Sequence, residues 1–153
     1  MSGGALQLRP AYPLDAGRIG AIMSDFIDQT DWMPRVHTRA EEIAFADRLI
    51  ALGWTQVALL EGRVAGFLSR DGAEVVALYL ATTARRRGIG RRLIEAAQAE
   101  TDRLSLWCFQ ANAAARSFYL ALGFHEAARS DGAGNDEGLP DIQFLWQGGP
   151  TNA

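Results

Sequence analysis

Apolar and polar positions change their period several times along the chain, and the changes outline its elements. Residues 5–11 (Ala-Leu-Gln-Leu-Arg-Pro-Ala) alternate as a strand does, and Asp15 stands where a helix cap belongs, ahead of Ile19, Ile22, Met23 and Phe26 at helical spacing. Thr38 followed by Glu41 is a capping-box pattern; it predicts a second helix through Ile43, Phe45, Ala46, Leu49 and Ile50, ended by Gly53. Two apolar runs, Gln56 to Leu60 and Val64 to Ser69, flank the hairpin signal Glu61-Gly62-Arg63, and Asp71-Gly72 turns the chain into Glu74-Val-Val-Ala-Leu-Tyr-Leu-Ala81. Three consecutive antiparallel strands follow from that. A helix starting near Gly90 and carrying Leu93, Ile94 and Ala97, a strand around Leu104, a helix from Ala113 to Leu122, and strands from Phe124 to Arg129 and from Ile142 to Trp146 complete the pattern. The predicted class is α/β (α+β), a mixed, mostly antiparallel central sheet with helices on both faces, in a single domain over residues 1–153. The termini and the Gly/Asp-rich stretch 130–140 read as irregular.

Composition narrows the chemistry. A chain of 153 residues with 48% hydrophobic content is long enough for one buried core. No run approaches the roughly 18 apolar residues of a membrane span, and Met1-Ser-Gly-Gly4 has neither the charged start nor the apolar middle of a signal peptide, so a cytoplasmic location without membrane partners is expected. All 15 basic residues are arginine, which excludes lysine Schiff bases, P-loop lysines and kinase lysines. His37 and His125 are far apart and no Cys/His cluster exists, so no metal is expected. The only cysteine, Cys108, sits in the apolar run Leu104-Ser-Leu-Trp-Cys-Phe109 and reads as a buried structural thiol. A net charge of -3 argues against nucleic-acid binding despite five arginines between residues 85 and 92, and the aromatic signatures of RNA-binding modules are missing.

Arg85-Arg86-Arg87-Gly88-Ile89-Gly90, between the run ending at Ala81 and the helix near Gly90, carries the strongest chemical signal. Glycines let consecutive N–H groups converge on one anion, the helix N-terminus adds partial positive charge, and three guanidiniums stand alongside. This reads as a phosphate cradle; a Gly-rich turn with a solvated basic flank is the plainer alternative. A Rossmann site fits less well, because Gly88-Ile-Gly-Arg-Arg-Leu93 lacks the third glycine and does not open the first strand–helix unit.

This segment resembles the Arg/Gln-x-x-Gly-x-Gly signature of the GCN5-related N-acetyltransferase (GNAT) superfamily, and Asn112-Ala-Ala-Ala-Arg-Ser-Phe-Tyr119 with Gly123-Phe124 resembles that family's Asn-x6-Tyr helix and the strand after it. The resemblance runs from about Glu74 to Phe124 and more loosely over the whole chain. It implies a GNAT-like fold, acetyl-CoA as co-substrate, and acetyl transfer to a primary amine of a small molecule or peptide by direct attack in a ternary complex. It also allows a homodimer. The implied cofactor site comprises the backbone of Leu78, Tyr79 and Leu80 on a splayed strand, the loop Arg85, Arg86, Arg87, Gly88, Ile89, Gly90 and Arg91, and Asn112 and Tyr119.

The catalytic assignments rest on the same resemblance. Tyr119 matches the family's general acid, seven residues after Asn112 and so on roughly the same helix face; a phenol stays neutral at pH 7 and can protonate a departing thiolate. Phe118-Tyr119 also reads as a packing pair, and Asn112 as a helix cap. Ribosomal-protein acetyltransferases carry a glutamate on the strand before the Asn motif, but Trp107 occupies that position here. Glu74, eleven residues before Arg85, matches the strand-borne glutamate of the histone-acetyltransferase branch and is the expected base, since desolvation against an apolar run raises a carboxylate's pKa. A water relay is the alternative. The connection Ser130 to Asp141 carries four carboxylates and no base. In the resembling fold it borders the acceptor's mouth, which implies a cationic acceptor met by Asp136 and Glu137, with the glycines letting the loop close. A non-catalytic acyl-CoA sensor of the same fold would keep the cradle and need neither Tyr119 nor a base.

Overall fold

A computed structural model describes residues 5–148. Seven strands form one sheet in the order β1-β2-β3-β4-β5-β7-β6: β1 (Leu6–Pro10), β2 (Thr55–Leu60), β3 (Arg63–Asp71), β4 (Glu74–Leu80), β5 (Arg103–Phe109), β6 (His125–Ser130) and β7 (Asp141–Gln147). Four helices complete it: α1 (Ala16–Asp28), α2 (Arg39–Ala51), α3 (Ile89–Glu100) and α4 (Ala113–Ala121). Every strand pair is antiparallel except β4 with β5. The expected mixed, mostly antiparallel sheet and its two hairpins are therefore present. The pattern did not indicate that β7 lies between β5 and β6, pairing with β5 along its whole length from Arg103↔Gln147 to Phe109↔Asp141. The outermost terminal residues expected to be irregular lie outside the described residues.

Adjacent residues of β4 show how the helices divide between the faces. Tyr79 packs edge-on against Phe26 of α1, whereas Leu80 lies against Gly66 and Gly90, the latter in α3. Neighbouring strand residues point to opposite faces, so α1 and α3 cover opposite sides of the sheet. Phe118 of α4 also packs on Gly90, which puts α4 beside α3. Phe67, Phe144, Ile19, Ile94, Leu104 and Ile142 form the centre of the core on the two faces.

Local chemistry accounts for the element ends. The Thr38 hydroxyl accepts from the Glu41 amide (3.0 Å) while the Thr38 amide donates to Glu41 Oε1 (2.8 Å), closing the capping box that opens α2. Gly53, at φ +76°, takes the left-handed position past the helix end. The buried face of α2 differs from the one its apolar pattern suggests: Ile43 and Phe45 are exposed and Glu42 is buried with Ala46 and Leu49. Arg35 makes that possible by donating to Glu42 Oε1 (3.0 Å), Ser24 Oγ (2.7 Å) and Asp28 Oδ1 (2.7 Å), which fastens the 29–38 connection to α1 and α2.

α1 and α2 meet at Gly20, where an added Cβ would lie 2.6 Å from Ile43 Cγ1 and 3.0 Å from its Cα. Backbone cannot yield as a side-chain tip can. Gly20→Val is expected to cost about 1–3 kcal/mol through overpacking, read as a lower urea midpoint; an unchanged midpoint would mean that the helices do not touch there.

Candidate active site

Only Glu74 and Ser105 pair across β4 and β5, supported by a Ser105 N–H donated to Ala73 O at 2.8 Å. Beyond that point the two strands separate. The register between β3 and β4 skips Val76, a β-bulge that bends β4 where the separation begins. The gap is a cavity of about 680 Å³ walled by Val76 to Leu80 on one side and Leu106 to Phe109 on the other. From Val76 onward, the β4 backbone groups that face β5 have no strand partner, although they lie in mid-sheet. An extended ligand can take up such groups as an added strand would.

The turn leaving β4 ends at α3. Arg86 (φ +66°) and Gly88 (φ +75°) both adopt the left-handed region, which is free for glycine and strained for arginine. Gly88 is the N-cap of α3 and supplies no side chain, and the first helical bond runs from Arg92 N to Gly88 O, so the Ile89, Gly90 and Arg91 amides have no helical acceptor. Arg85, Arg86 and Arg87 are exposed, and among the described residues no carboxylate pairs with them. An uncapped helix start, a left-handed turn and three unneutralised guanidiniums together suit a phosphate group. A Cβ at Gly88 would meet nothing within 4 Å, so the left-handed φ and not crowding is what favours glycine there. At Gly90 a Cβ would lie 3.1 Å from Phe118 Cζ, so this glycine also lets α4 approach α3.

Tyr119 projects from α4 into the cavity, held edge-on by Phe118 (5.1 Å) and Phe124 (5.4 Å) and tilted on Phe144 (5.9 Å). Its hydroxyl has no hydrogen-bond partner among the described residues, yet Glu42 Oε2 is the one buried atom there that is sealed off without a partner. The phenol therefore opens onto the cavity. Burial holds its pKa well above the ordinary phenol value, with the neighbouring Cys108 and Tyr79 adding to the shift. Asn112 Oδ1 caps α4 by accepting from Ala115 N (3.0 Å), and its Nδ2 has no partner among the described residues. Packing and capping, the plainer readings of these two residues, are thus real and leave their reactive atoms open.

Leu78, Tyr79, Leu80, Arg85, Arg86, Gly88, Ile89, Gly90, Arg91, Asn112 and Tyr119 all border this single cavity. Arg87 belongs to the same turn but not to the wall. Glu74 sits at the closed end of the gap, where the lining starts with Val75; its side chain is exposed rather than sunk against the apolar run. Asp136 lies 3.3 Å from His37 Nε2, and Glu137 is close enough to the Tyr79 phenol to bear on its ionisation. The sequence reading missed Phe26, Met33, Phe109 and Cys108 as part of the wall. An aromatic at the end of α1, followed by Trp32 in the connection, was the available signal.

Residues 51–126 match the acetyltransferase (GNAT) domain family. The chain belongs to the GNAT superfamily. Over 66 residues it is 39% identical to the peptidyl-lysine N-acetyltransferase YiaC of Escherichia coli, a match spanning 42% of this chain and 45% of that one, so the chain covers less than half the length of this curated relative. Its fold is that of YjaB from Escherichia coli in its apo form (TM-score 0.79, 23% identity, 94% and 99% of the two chains). It is also that of yncA from Salmonella typhimurium, solved with its cofactor acetyl-CoA (TM-score 0.69, 23% identity, 94% of each chain).

Within this GNAT cleft Cys108 is buried beside Tyr119, and desolvation pushes its thiol up to about 11, with Arg116 opposing and Asp141 assisting. The thiolate fraction near neutral pH falls about a hundredfold as a result. Iodoacetamide at pH 8 is expected to alkylate Cys108 at least tenfold more slowly in the folded protein than in urea, followed by mass spectrometry; equal rates would place the thiol in solvent.

Proposed function

We propose that the protein is an N-acetyltransferase that uses acetyl-CoA to acetylate a primary amine, by direct attack in a ternary complex and without an acyl-enzyme on Cys108. The observation that carries this reading is the conjunction, in one cleft, of an anion-binding turn at the open end and an unpartnered phenol in the middle. Bound acetyl-CoA supplies an acyl group activated as a thioester. The amine nitrogen bonds to the acyl carbon, the C–S bond breaks, the nitrogen gives up a proton and the sulfur receives one.

Each residue then has a defined task. Amides of the turn from Arg86 to Arg91, backed by the guanidiniums, hold the pyrophosphate; the unpaired backbone from Leu78 to Leu80 and Asn112 Nδ2 hold the pantetheine arm. Tyr119, protonated throughout the neutral range, donates to the departing sulfur. Glu74 is the base we assign, on its strand position at the closed end of the gap; its exposed side chain stands outside the cavity wall and takes the proton through a water. Asp136 and Glu137 favour a cationic acceptor, with Glu137 the freer of the two because Asp136 faces His37. YiaC, named for peptidyl-lysine acetylation, is similar over too short a span to choose between peptides and small amines.

Thiol release from acetyl-CoA, measured over a panel of amines, tests the reading: release with an amine supports it, and tight acetyl-CoA binding with no release from any amine would make the protein a sensor. Tyr119→Phe is expected to lower turnover roughly ten to a thousandfold with acetyl-CoA affinity nearly unchanged; wild-type turnover would reduce Tyr119 to packing. Glu74→Gln is expected to lower turnover about tenfold or more with acetyl-CoA affinity unchanged, and wild-type turnover would take Glu74 out of the proton path.

For the cradle, Gly90→Ala tests packing alone and Gly90→Asp adds charge. By calorimetry, the aspartate variant is expected to bind acetyl-CoA about ten to a hundredfold more weakly than the alanine one. Equal affinities would remove the pyrophosphate from this turn.

A further inference from the structure

One part of this cavity, a chamber on the α1 side of the sheet, is walled by residues outside both the phosphate turn and α4. Phe26, Tyr79 and Phe109 wall it, each partly exposed. Phe26 meets Tyr79 edge-on at 5.4 Å, and Tyr79 is stacked on Phe67 at 5.8 Å. Trp32 stands behind the chamber, edge-on to both Phe26 (6.2 Å) and Phe109 (5.8 Å), so one indole braces rings from α1 and β5. The Arg35 hydrogen bonds to Ser24, Asp28 and Glu42 fix the connection that carries Trp32. The rings are therefore preset rather than gathered by a ligand.

Charge at this chamber is scarce and specific. The 130–141 connection passes beside Phe109, since Gln110 N donates to Pro140 O at 2.9 Å. Three of its carboxylates are engaged. Asp131 Oδ1 accepts from Ala133 N (2.9 Å), Asp136 faces His37, and Asp141 is bonded by Ser130 Oγ and by Asn135 Nδ2 (3.3 Å). Glu137 has no partner among the described residues, and its charge, after burial itself and together with that of Glu42, helps push the Tyr79 phenol up to about 12; Glu42 is held by Arg35 and sealed from the cavity, so Glu137 is the carboxylate open to a ligand. Aromatic faces and one free carboxylate match one cation on an apolar body. A second charge on that body would be pressed against the rings with no carboxylate to meet it.

Building on the acetyl-transfer reading, we propose that this chamber is the acceptor subsite and selects a primary amine with a single ammonium on an aromatic or branched apolar body. The body lies against Phe26, Tyr79 and Phe109, and the nitrogen docks beside Glu137 as an ammonium, releasing one proton to solvent before it attacks as the free amine.

Two measurements test it. In acetylation assays at saturating acetyl-CoA, 2-phenylethylamine or phenylalanyl-alanine amide is expected to exceed spermidine and a lysyl peptide in kcat/KM by about tenfold or more. Whichever of the first two leads shows whether the body is a free amine or a peptide N-terminus; preference for spermidine or the lysyl peptide overturns the inference. The second readout needs no turnover. Trimethyl(2-phenylethyl)ammonium, which has no N–H to acetylate, is titrated calorimetrically into the protein with CoA present. Its Kd is expected to rise about tenfold in Phe109→Leu and in Glu137→Gln, a half-buried loop change outside the hydrophobic core, and to stay unchanged in Asp131→Asn. Binding with this pattern but no acetylation of any amine would sink the transfer reading and leave the chamber standing. No binding at millimolar concentration, or binding indifferent to both variants, would sink the chamber whatever the transfer assay gives.

Discussion

Everything chemical in this molecule depends on two parallel strands that touch once. β4 and β5 are joined by the α3 crossover, and parallel strands so joined ordinarily zip along their length. Here the bulge at Val76 bends β4 just after the Glu74–Ser105 pair, and the sheet opens like a hinge fixed at one end. The opening exposes backbone that a sheet would otherwise consume. Because the chain leaving β4 runs directly into α3, the uncapped helix start necessarily lies at the wide end of the same gap. Cleft and uncapped helix start are thus two results of one topological fact.

The opposite side of the cleft is organised by a single guanidinium. Arg35 spreads its two terminal nitrogens over Glu42, Ser24, Asp28 and the His37 carbonyl, tying a ten-residue connection to two helices. Burying Glu42 is costly without this partner. The benefit appears in rigidity: the aromatic side chains around Trp32 are held in place by a charge network some distance from them. Glu42 Oε2 remains sealed and unpaired, a sign that the network is tuned for shape rather than for every hydrogen bond.

Much of this was legible in the residues. Thr38 and Glu41 announced α2, Gly53 its end, and the turn chemistry at Gly62 and Gly72 the β2–β4 meander, because each signal acts over a few neighbouring residues. The Arg85–Gly90 motif, Arg87 excepted, and the Asn112–Tyr119 spacing located part of the cavity wall. What stayed hidden was long-range. No local pattern says that β7 pairs with β5 as well as β6, or that α2 turns Ile43 and Phe45 outward and Glu42 inward, since the latter depends on Arg35 from another segment. The aromatic wall was invisible for the same reason: Phe26, Trp32, Tyr79 and Phe109 meet only after four elements have assembled.

The composition of the turn from Arg85 to Arg91 carries one more consequence. A protein that handles an activated acyl donor exposes its own surface amines to that donor. Every cation around this cleft is a guanidinium, and the whole chain has no lysine. Guanidinium stays protonated and is a poor nucleophile at any physiological pH. The positive charge of this turn is therefore chemically inert toward acylation, so it stays constant however much acyl donor accumulates around the protein.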